Sequence, residues 1–244
     1  MINTEIPVYS IMILLSLAAN IFTVAYTSKK YKFSKIEIIC LLLYENTGII
    51  FGAKILTFLQ NYKDLNGNFN FLSLGLSSYG AVIGALLFLM LFSFQFKKSL
   101  KEMLYVFMPS IPLMYGIGKI GCFLIGCCYG INYNGWGSIS YNYSPVAPNH
   151  IHLFPVQIVE SILFIGIFIY LILKHKKNQF DLRVLGIGFI LCGFSKFGLD
   201  YFRMSHIGKI LSLNQIISLV FIVIGIMMMI IKPKKKSNAA YKVD

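Results

Sequence analysis

The chain has 244 residues, of which 57% are hydrophobic and 13% charged, and its mean hydropathy is +0.72. Soluble domains carry about a quarter of their residues as charged side chains, so this composition excludes an ordinary soluble protein and indicates an integral membrane protein. The net charge of +13 lies in short clusters between apolar runs, which is the pattern that membrane topology produces, so we expect no nucleic-acid partner.

Seven apolar runs approach or exceed the length of about 20 residues that a membrane-spanning helix needs. The N-terminal stretch MINTEIPVYS has no basic region, so we expect the first run to be a retained span and not a cleaved signal peptide. The sequence therefore predicts an all-α integral membrane protein, with one seven-helix domain over residues 1–231 and a basic tail over 232–244. The predicted spans are 8–27, 37–60, 72–96, 103–126, 155–173, 184–202 and 210–231.

The distribution of lysine and arginine predicts the orientation. The segments after spans 1, 3 and 5 and the C-terminal tail hold four, three, four and five of the 22 cations, and these alternate segments must share one side. By the positive-inside rule that side is the cytoplasm, which places the N-terminus outside and the tail inside. The cations are Lys29, Lys30, Lys32, Lys35, Lys97, Lys98, Lys101, Lys174, Lys176, Lys177, Arg183, Lys232, Lys234, Lys235, Lys236 and Lys242.

The segment 129–152 contains no lysine or arginine and is rich in Asn, Gly, Ser and Tyr. It also contains the only tryptophan of the chain, Trp136. Two interpretations stay open: an ordinary interfacial loop with aromatic anchors, or a structured extracytoplasmic element near a substrate entrance.

Six further lysine and arginine residues lie outside the cationic segments described above, and they are the first candidates for functional residues. Lys63 and Lys209 fall in outer segments and are expected to be solvated, while Lys54 lies near the outer end of span 2, from which a long side chain can reach the interface. Lys119 and Lys196 lie well inside spans 4 and 6, where a cation costs several kcal/mol. The sixth is Arg203, at the end of span 6.

Acidic residues inside the spans are few, namely Glu45, Glu160 and Asp200. One interpretation is therefore a set of internal salt bridges. The other is a site with surplus positive charge that binds an anion, and in a membrane the abundant anion is a phospholipid phosphate.

Glycines accompany these cations along spans 3 and 4. Small residues allow close helix packing, and glycine also lets backbone N–H groups approach a phosphate. We expect a polar pocket between spans 3, 4 and 6, in the outer half of the bilayer. The residues concerned are Gly75, Ser77, Ser78, Tyr79, Gly80, Gly84, Gly116, Gly118, Gly121, Gly126 and Gly130.

The five cysteines lie in or near apolar segments and have no His/Cys spacing that resembles a zinc site. Buried cysteine most often serves as a small hydrophobic side chain. We expect no metal and no cofactor.

Four motifs occur in order along the chain: SSYGAVIG (77–84), GKIGCFLIGCCYG (118–130), FPVQIVES (154–161) and GFSKFGLDYFR (193–203). In order and spacing they resemble the prolipoprotein diacylglyceryl transferase family of bacterial membrane enzymes, over about residues 36–231. The resemblance implies seven spans in the bacterial cytoplasmic membrane. It also implies that the diacylglyceryl group of phosphatidylglycerol moves to the cysteine thiol of a prolipoprotein lipobox on the outer face, with release of glycerol phosphate.

The resemblance also implies the site residues. Lys119 and Lys196 stand where the family has essential arginines, and Tyr79 stands at a histidine position. We therefore expect Tyr79, Lys119 and Lys196 to be catalytic, and the following residues to bind substrate: Lys54, Gly80, Gly118, Gly121, Cys122, Cys127, Gly130, Gln157, Glu160, Asp200 and Arg203.

Several positions depart from the family motifs. Lys54 takes a further arginine position, Cys122 an asparagine position and Cys127 a glutamate position, while Phe154 replaces a histidine and Cys192 a tyrosine. Lysine keeps the charge of arginine but loses its bidentate geometry, so binding of an anionic lipid is expected to persist. These changes predict a divergent branch of the family.

Three alternatives to direct transfer of a diacylglyceryl group to a prolipoprotein thiol remain open. A paralogue could bind anionic phospholipid without transfer or use a different acceptor, and a small transporter could also carry cations inside its spans. In a third alternative, Cys127 or Cys128 forms a covalent intermediate through a thiolate.

Overall fold

The computed structural model describes residues 5–31, 33–61, 75–177 and 181–230. Within these ranges, seven helical segments are long and apolar enough to cross a membrane, which confirms the expected multi-pass helical architecture. In the same ranges, pairing between extended residues is confined to isolated bridges. The predicted basic tail at 232–244 and Lys63 lie outside the described residues.

The helical bounds agree with the predicted spans to within a few residues at most ends. The third helix begins later than its predicted span, at Ser78, because Ser77 caps it with a side-chain oxygen that accepts a hydrogen bond from the Gly80 N–H. The helices are α1 (Glu5–Ser28), α2 (Lys35–Asn61), α3 (Ser78–Phe96), α4 (Leu100–Phe107), α5 (Ser110–Ile125), α6 (Val156–Lys176), α7 (Leu182–Asp200) and α8 (Leu213–Ile230).

The predicted fourth span consists of two helices. α4 ends at Phe107 and α5 begins at Ser110, with Pro109 between them and Pro112 in the first turn of α5. Proline has no N–H to donate and its ring clashes with the preceding turn, so it is tolerated at the start of a helix but not in its interior. The predicted span 103–126 is thus confirmed as one membrane-crossing segment, Leu100–Ile125, and its helix is interrupted at Met108 and Pro109.

α2 and α3 pack with their backbones in direct contact. A Cβ atom placed on Gly84 would lie 2.1 Å from the carbonyl oxygen of Gly48, and one on Gly80 would lie 2.3 Å from the carbonyl oxygen of Gly52. Only glycine permits this approach. The contact fixes the first turn of α3, which carries Ser78 and Tyr79, against α2.

Polar contacts link the segments that follow spans 1, 3 and 5. The Lys98 ammonium forms an ion pair with Glu37 at 2.9 Å, which connects the end of α3 to the start of α2. The Lys30 ammonium donates a hydrogen bond to the carbonyl oxygen of His175, at the end of α6. These three cationic segments therefore lie at one end of the bundle.

The segment 126–155 is folded across the opposite end. Gly130 pairs with Arg203, and a Cβ atom on Gly130 would lie 2.2 Å from the carbonyl oxygen of Phe154. The Tyr141 hydroxyl donates to the carbonyl oxygen of Phe123 at 2.9 Å, and burial raises the pKa of Tyr141 to about 12, so it remains a donor at neutral pH. These contacts favour a structured element over an ordinary loop, although Trp136 is 97% exposed.

Candidate active site

Glu160 is the centre of a buried charge cluster. It lies in the second turn of α6 with none of its surface exposed. One carboxylate oxygen is 3.0 Å from the Lys119 ammonium of α5, and the other is 2.5 Å from the Arg203 guanidinium. The same second oxygen accepts a hydrogen bond from the Tyr115 hydroxyl at 2.8 Å. Residues from α5 and from the segment after α7 therefore converge on one carboxylate of α6.

The Tyr115 hydroxyl connects the third cation to this cluster. While it donates to Glu160, it accepts hydrogen bonds from Lys196 at 2.8 Å and from Arg203 at 3.1 Å. A phenol has one proton to donate and two lone pairs to accept with, so all of its positions are used.

Lys196 is held in a cage of polar and aromatic groups. Its ammonium is 3.2 Å from the Ser78 hydroxyl, 4.8 Å from the ring centroid of Tyr79 and 4.4 Å from that of Tyr115. Cations over aromatic faces are stabilised electrostatically, which partly offsets the cost of burying an ammonium. The Tyr79 hydroxyl points to α8, where it forms a hydrogen bond with the Ser218 hydroxyl.

Positive charge exceeds negative charge in this cluster. Lys119, Lys196 and Arg203 are each less than 10% exposed, and Glu160 is the carboxylate among their described partners. The buried Nε of Arg203 has no hydrogen-bond partner among the described residues. Because unpaired buried charge is costly, the cluster is suited to receive an anion.

Asp200, which the sequence made a candidate for this site, does not neutralise the surplus. Its carboxylate accepts a hydrogen bond from the Ser212 hydroxyl and lies 3.2 Å from the side-chain nitrogen of Asn214 and 3.4 Å from His206 Nδ1. These partners lie between α7 and the first turn of α8. Asp200 therefore joins two helices, and among the described residues its carboxylate forms no ion pair with the three cations.

The charge cluster borders a cavity of about 670 Å³. Glu160 and Lys196 each lie four residues inside their helices from the end covered by segment 126–155, a depth of about 6 Å at the rise of an α-helix. Lys119, Lys196 and Arg203 all line the cavity, and so does Tyr79. The remaining wall is mostly apolar, with side chains such as Ile13, Leu17, Ile49, Val82 and Phe164.

The structure thus brings together most of the residues expected at the site. Gln157 is close by, where its side-chain nitrogen donates to the carbonyl oxygen of Cys127 at 2.9 Å. The expected residues that line the cavity or contact the cluster are Tyr79, Gly118, Lys119, Cys122, Cys127, Glu160, Lys196 and Arg203.

The other expected residues serve different contacts. Gly80 and Gly130 provide close backbone approach to α2 and to Phe154, and Gly121 faces Met12 and Tyr9 of α1. Lys54 is half-buried on α2 and is absent from the cavity wall described above. Of the glycines expected to expose backbone to a phosphate, Gly118 has open space beside it and lines the cavity.

Sequence reasoning assigned no role to Tyr115. Its hydroxyl contacts Glu160, Lys196 and Arg203. A signal was present, because Tyr115 precedes Lys119 by four residues and therefore lies on the same helical face. Its ring is 5.2 Å from the Lys119 ammonium.

Fold and site together define a multi-pass helical membrane protein with a buried, cation-lined cavity near one end of its spans. The family described as prolipoprotein diacylglyceryl transferase matches residues 1–231. The chain belongs to this family, which confirms the resemblance of the four motifs, and it is accordingly a transferase of diacylglyceryl groups.

Several curated proteins match this chain over most of their length, and they are named as prolipoprotein diacylglyceryl transferases. The chain is 32% identical to the phosphatidylglycerol–prolipoprotein diacylglyceryl transferase of Clostridium tetani over 223 residues, which are 89% of this chain and 90% of that protein. It is 31% identical to the second such transferase of Clostridium perfringens, covering 72% and 71% of the two chains. Identity to the Dehalococcoides mccartyi enzyme is 30%, covering 79% and 75%.

We predict that Glu160→Gln destabilises the protein by about 3–5 kcal/mol, the usual cost of removing one partner from a buried ion pair. The variant leaves three buried cations facing each other without a carboxylate. Thermal unfolding of the purified protein in detergent measures the effect, and added anionic phospholipid should restore part of the stability.

Glu37→Gln is the matched control, because it removes a carboxylate from the ion pair with Lys98, which is partly exposed to solvent. Such pairs contribute little, so its unfolding temperature should stay near that of the wild type. Equal unfolding temperatures for the two variants would contradict the central role of Glu160.

Proposed function

We propose that this transferase takes the diacylglyceryl group from phosphatidylglycerol and attaches it to the cysteine thiol of a prolipoprotein. The observation that carries the proposal is the surplus of buried positive charge at the wall of a largely apolar cavity. An anionic phospholipid supplies both a phosphate for the cations and acyl chains for the apolar wall. The curated relatives are named for the same donor and acceptor.

Lys119, Lys196 and Arg203 hold the lipid phosphate in this proposal. The Nε of Arg203 is available to it, since that atom has no other partner among the described residues. Lysine acts as a compact point charge, whereas arginine presents several donors in a fixed plane. Two ammonium groups and one guanidinium therefore combine charge with one oriented donor.

The reaction breaks the bond between the glycerol carbon of the diacylglyceryl group and the phosphate oxygen. The acceptor thiol loses its proton and forms a C–S bond to that carbon, and glycerol phosphate leaves with the bonding electron pair. The cations stabilise the negative charge that develops on the phosphate oxygen, in a site from which the buried cluster excludes water. Only the thiolate is nucleophilic, so a proton acceptor is required.

Tyr79 is the proton acceptor that we propose. It lines the cavity, and the Lys196 ammonium lies 4.8 Å from its ring centroid, where a positive charge offsets part of the cost of a buried phenolate. The Ser218 hydroxyl donates its proton to the Asn214 carbonyl oxygen at 2.8 Å and accepts the hydrogen bond of the Tyr79 hydroxyl, which holds that hydroxyl in place. Glu160 is less suited to this task because both of its oxygens already face cations.

The same arrangement supports the orientation with the N-terminus outside and the tail in the cytoplasm. The segments after spans 1, 3 and 5 meet at one end of the bundle, and they carry most of the topological cations that are described. The cation-free segment 129–152 covers the other end, next to the cavity. This orientation, in a bacterial cytoplasmic membrane, opens the site toward the outer face, where a prolipoprotein presents its cysteine.

We predict that green fluorescent protein fused after Asp244 is fluorescent in intact cells, while alkaline phosphatase fused at the same point is inactive. The first reporter folds in the cytoplasm and the second requires the oxidising exterior. Fusions within segment 129–152, at Asn134, serve as the control and should give the reverse pair of results. An active phosphatase fused after Asp244 would refute the orientation.

We predict that Lys119→Ala and Lys196→Ala each lower transfer by about 100-fold or more, the usual effect of removing one preorganised donor from a developing negative charge. The assay combines purified protein, labelled phosphatidylglycerol and a lipobox peptide, and measures both peptide lipidation and release of glycerol phosphate. Lys119→Arg should keep more activity than Lys119→Ala, since it retains the charge.

Lys209→Ala is the control variant, because Lys209 is exposed and lies outside the cavity wall described above. Failure of the wild type to lipidate the peptide or to release glycerol phosphate would refute the proposal. If phosphatidylglycerol then binds in a manner that depends on Lys119, the chain is a lipid-binding paralogue without transfer to this acceptor.

We predict that Tyr79→Phe and Tyr115→Phe change different kinetic parameters of the transfer reaction. Loss of the proton acceptor should lower kcat by about 100- to 10,000-fold with little change in KM for phosphatidylglycerol. Tyr115→Phe removes the oxygen that Lys196 and Arg203 contact, so it should mainly raise KM and lower thermal stability. Tyr143→Phe, at an 89% exposed residue, is the control. Full activity of Tyr79→Phe would exclude Tyr79 as the base.

A further inference from the structure

Three cysteine thiols converge at the edge of the cavity. The sulfur atoms of Cys122, Cys127 and Cys128 all lie within 4.8 Å of one another. Their sequence spacing does not match any common zinc motif, so the cluster is a product of the fold. Cys122 is buried, Cys127 is half-buried and Cys128 is exposed, and all three line the cavity.

The backbone creates this convergence through two left-handed residues. α5 ends at Ile125, and Gly126 and Cys128 then adopt φ values of 80° and 54°. The left-handed conformation reverses the chain, which returns Cys127 and Cys128 to the last turn of the helix that carries Cys122.

The turn is held from several directions. The Gln157 side chain donates to the carbonyl oxygen of Cys127 at 2.9 Å, and the Ser144 hydroxyl donates to that of Ile125 at 2.9 Å. A Cβ atom on Gly126 would lie 2.2 Å from the Ser144 oxygen. The three thiols are therefore placed by the surrounding loop and by α6, and not by the cysteine turn alone.

The spacing of the sulfur atoms suits three-coordinate binding. Three sulfurs at about 2.3 Å from a common ion in one plane are about 4.0 Å apart, so small side-chain rotations bring them to bonding distance. Thiolate ligands select soft ions such as Cu(I). Among the residues that the structure describes, no imidazole or carboxylate joins the cluster as a fourth ligand, which disfavours a closed tetrahedral zinc site.

The charges around the cluster fit a monovalent ion. Three thiolates and one Cu(I) carry a net charge of −2. Lys119 lies three residues before Cys122 on the same face of α5, and Arg203 pairs through its backbone with Gly130, two residues after Cys128. The two cations that border the cysteines can offset that charge.

We propose that Cys122, Cys127 and Cys128 form a three-sulfur binding site for a soft monovalent metal ion, Cu(I), at the edge of the cavity. Binding replaces the three thiol protons with one ion and involves no change of oxidation state. The ligands of this site are thiolates, whereas the phosphate is held by ammonium and guanidinium groups, of which Lys119 and Arg203 also border the cysteines. Binding of Cu(I) does not depend on the transfer reaction proposed above.

The test is anaerobic titration of the full-length purified protein in detergent with Cu(I) supplied by a coloured competing chelator. We expect one tightly bound Cu(I) per chain, and X-ray absorption should show three sulfur neighbours. Loss of a residue that only supports a metal ligand lowers metal affinity by about 10- to 100-fold. Cys127→Ser and the triple Cys→Ser variant remove ligands themselves, so each should lower the affinity for Cu(I) by more than that.

Cys192→Ser is the matched control, because Cys192 lines the same cavity but lies outside the cluster. It should bind Cu(I) as the wild type does, and thermal unfolding checks that each variant is folded. Retention of the bound ion in the triple variant would overturn the proposal. So would a two-sulfur absorption spectrum, or a disulfide among the three cysteines in protein purified without reductant.

Discussion

The ion pairs and hydrogen bonds of Glu160 are the constraint on which the site depends. One carboxylate joins α6 to Lys119 of α5 and to Arg203 after α7, and Tyr115 extends the network to Lys196. Without it, three cations would lie in a membrane interior with no countercharge, which costs several kcal/mol for each. With it, the cluster is tolerated but still positive, and that remaining charge is what a phospholipid phosphate can use.

The helical scaffold gives this cluster a fixed position. The glycine contact between α2 and α3 locks the turn that bears Ser78 and Tyr79, and these two residues complete the surroundings of Lys196. Pro109 separates α4 from α5, so that α5 is a short helix with Tyr115 and Lys119 on one face. Rigid elements of this kind hold a catalytic group more closely than loops do.

The transferase chemistry places two demands on the protein that usually conflict. The phosphate requires buried positive charge, whereas the acyl chains require an apolar wall, and a membrane protein can satisfy both only near the boundary between lipid and water. A depth of about 6 Å below the helix ends meets both requirements. The folded segment 126–155 lies across that end of the bundle, and its cysteine turn places a three-sulfur cluster at the edge of the same cavity.

The sequence alone determined the membrane class, the number of spans and the family motifs, and it singled out Lys119, Lys196 and Arg203 as cations inside or at the end of spans. Hydropathy and the cost of intramembrane charge are local properties that can be read residue by residue. Only the tertiary structure decided that Glu160 and not Asp200 is the partner of the cations, that Tyr115 joins them, and that the three cysteines meet. Those outcomes depend on which helical faces oppose each other and on two left-handed residues after α5, and neither follows from spacing along the chain.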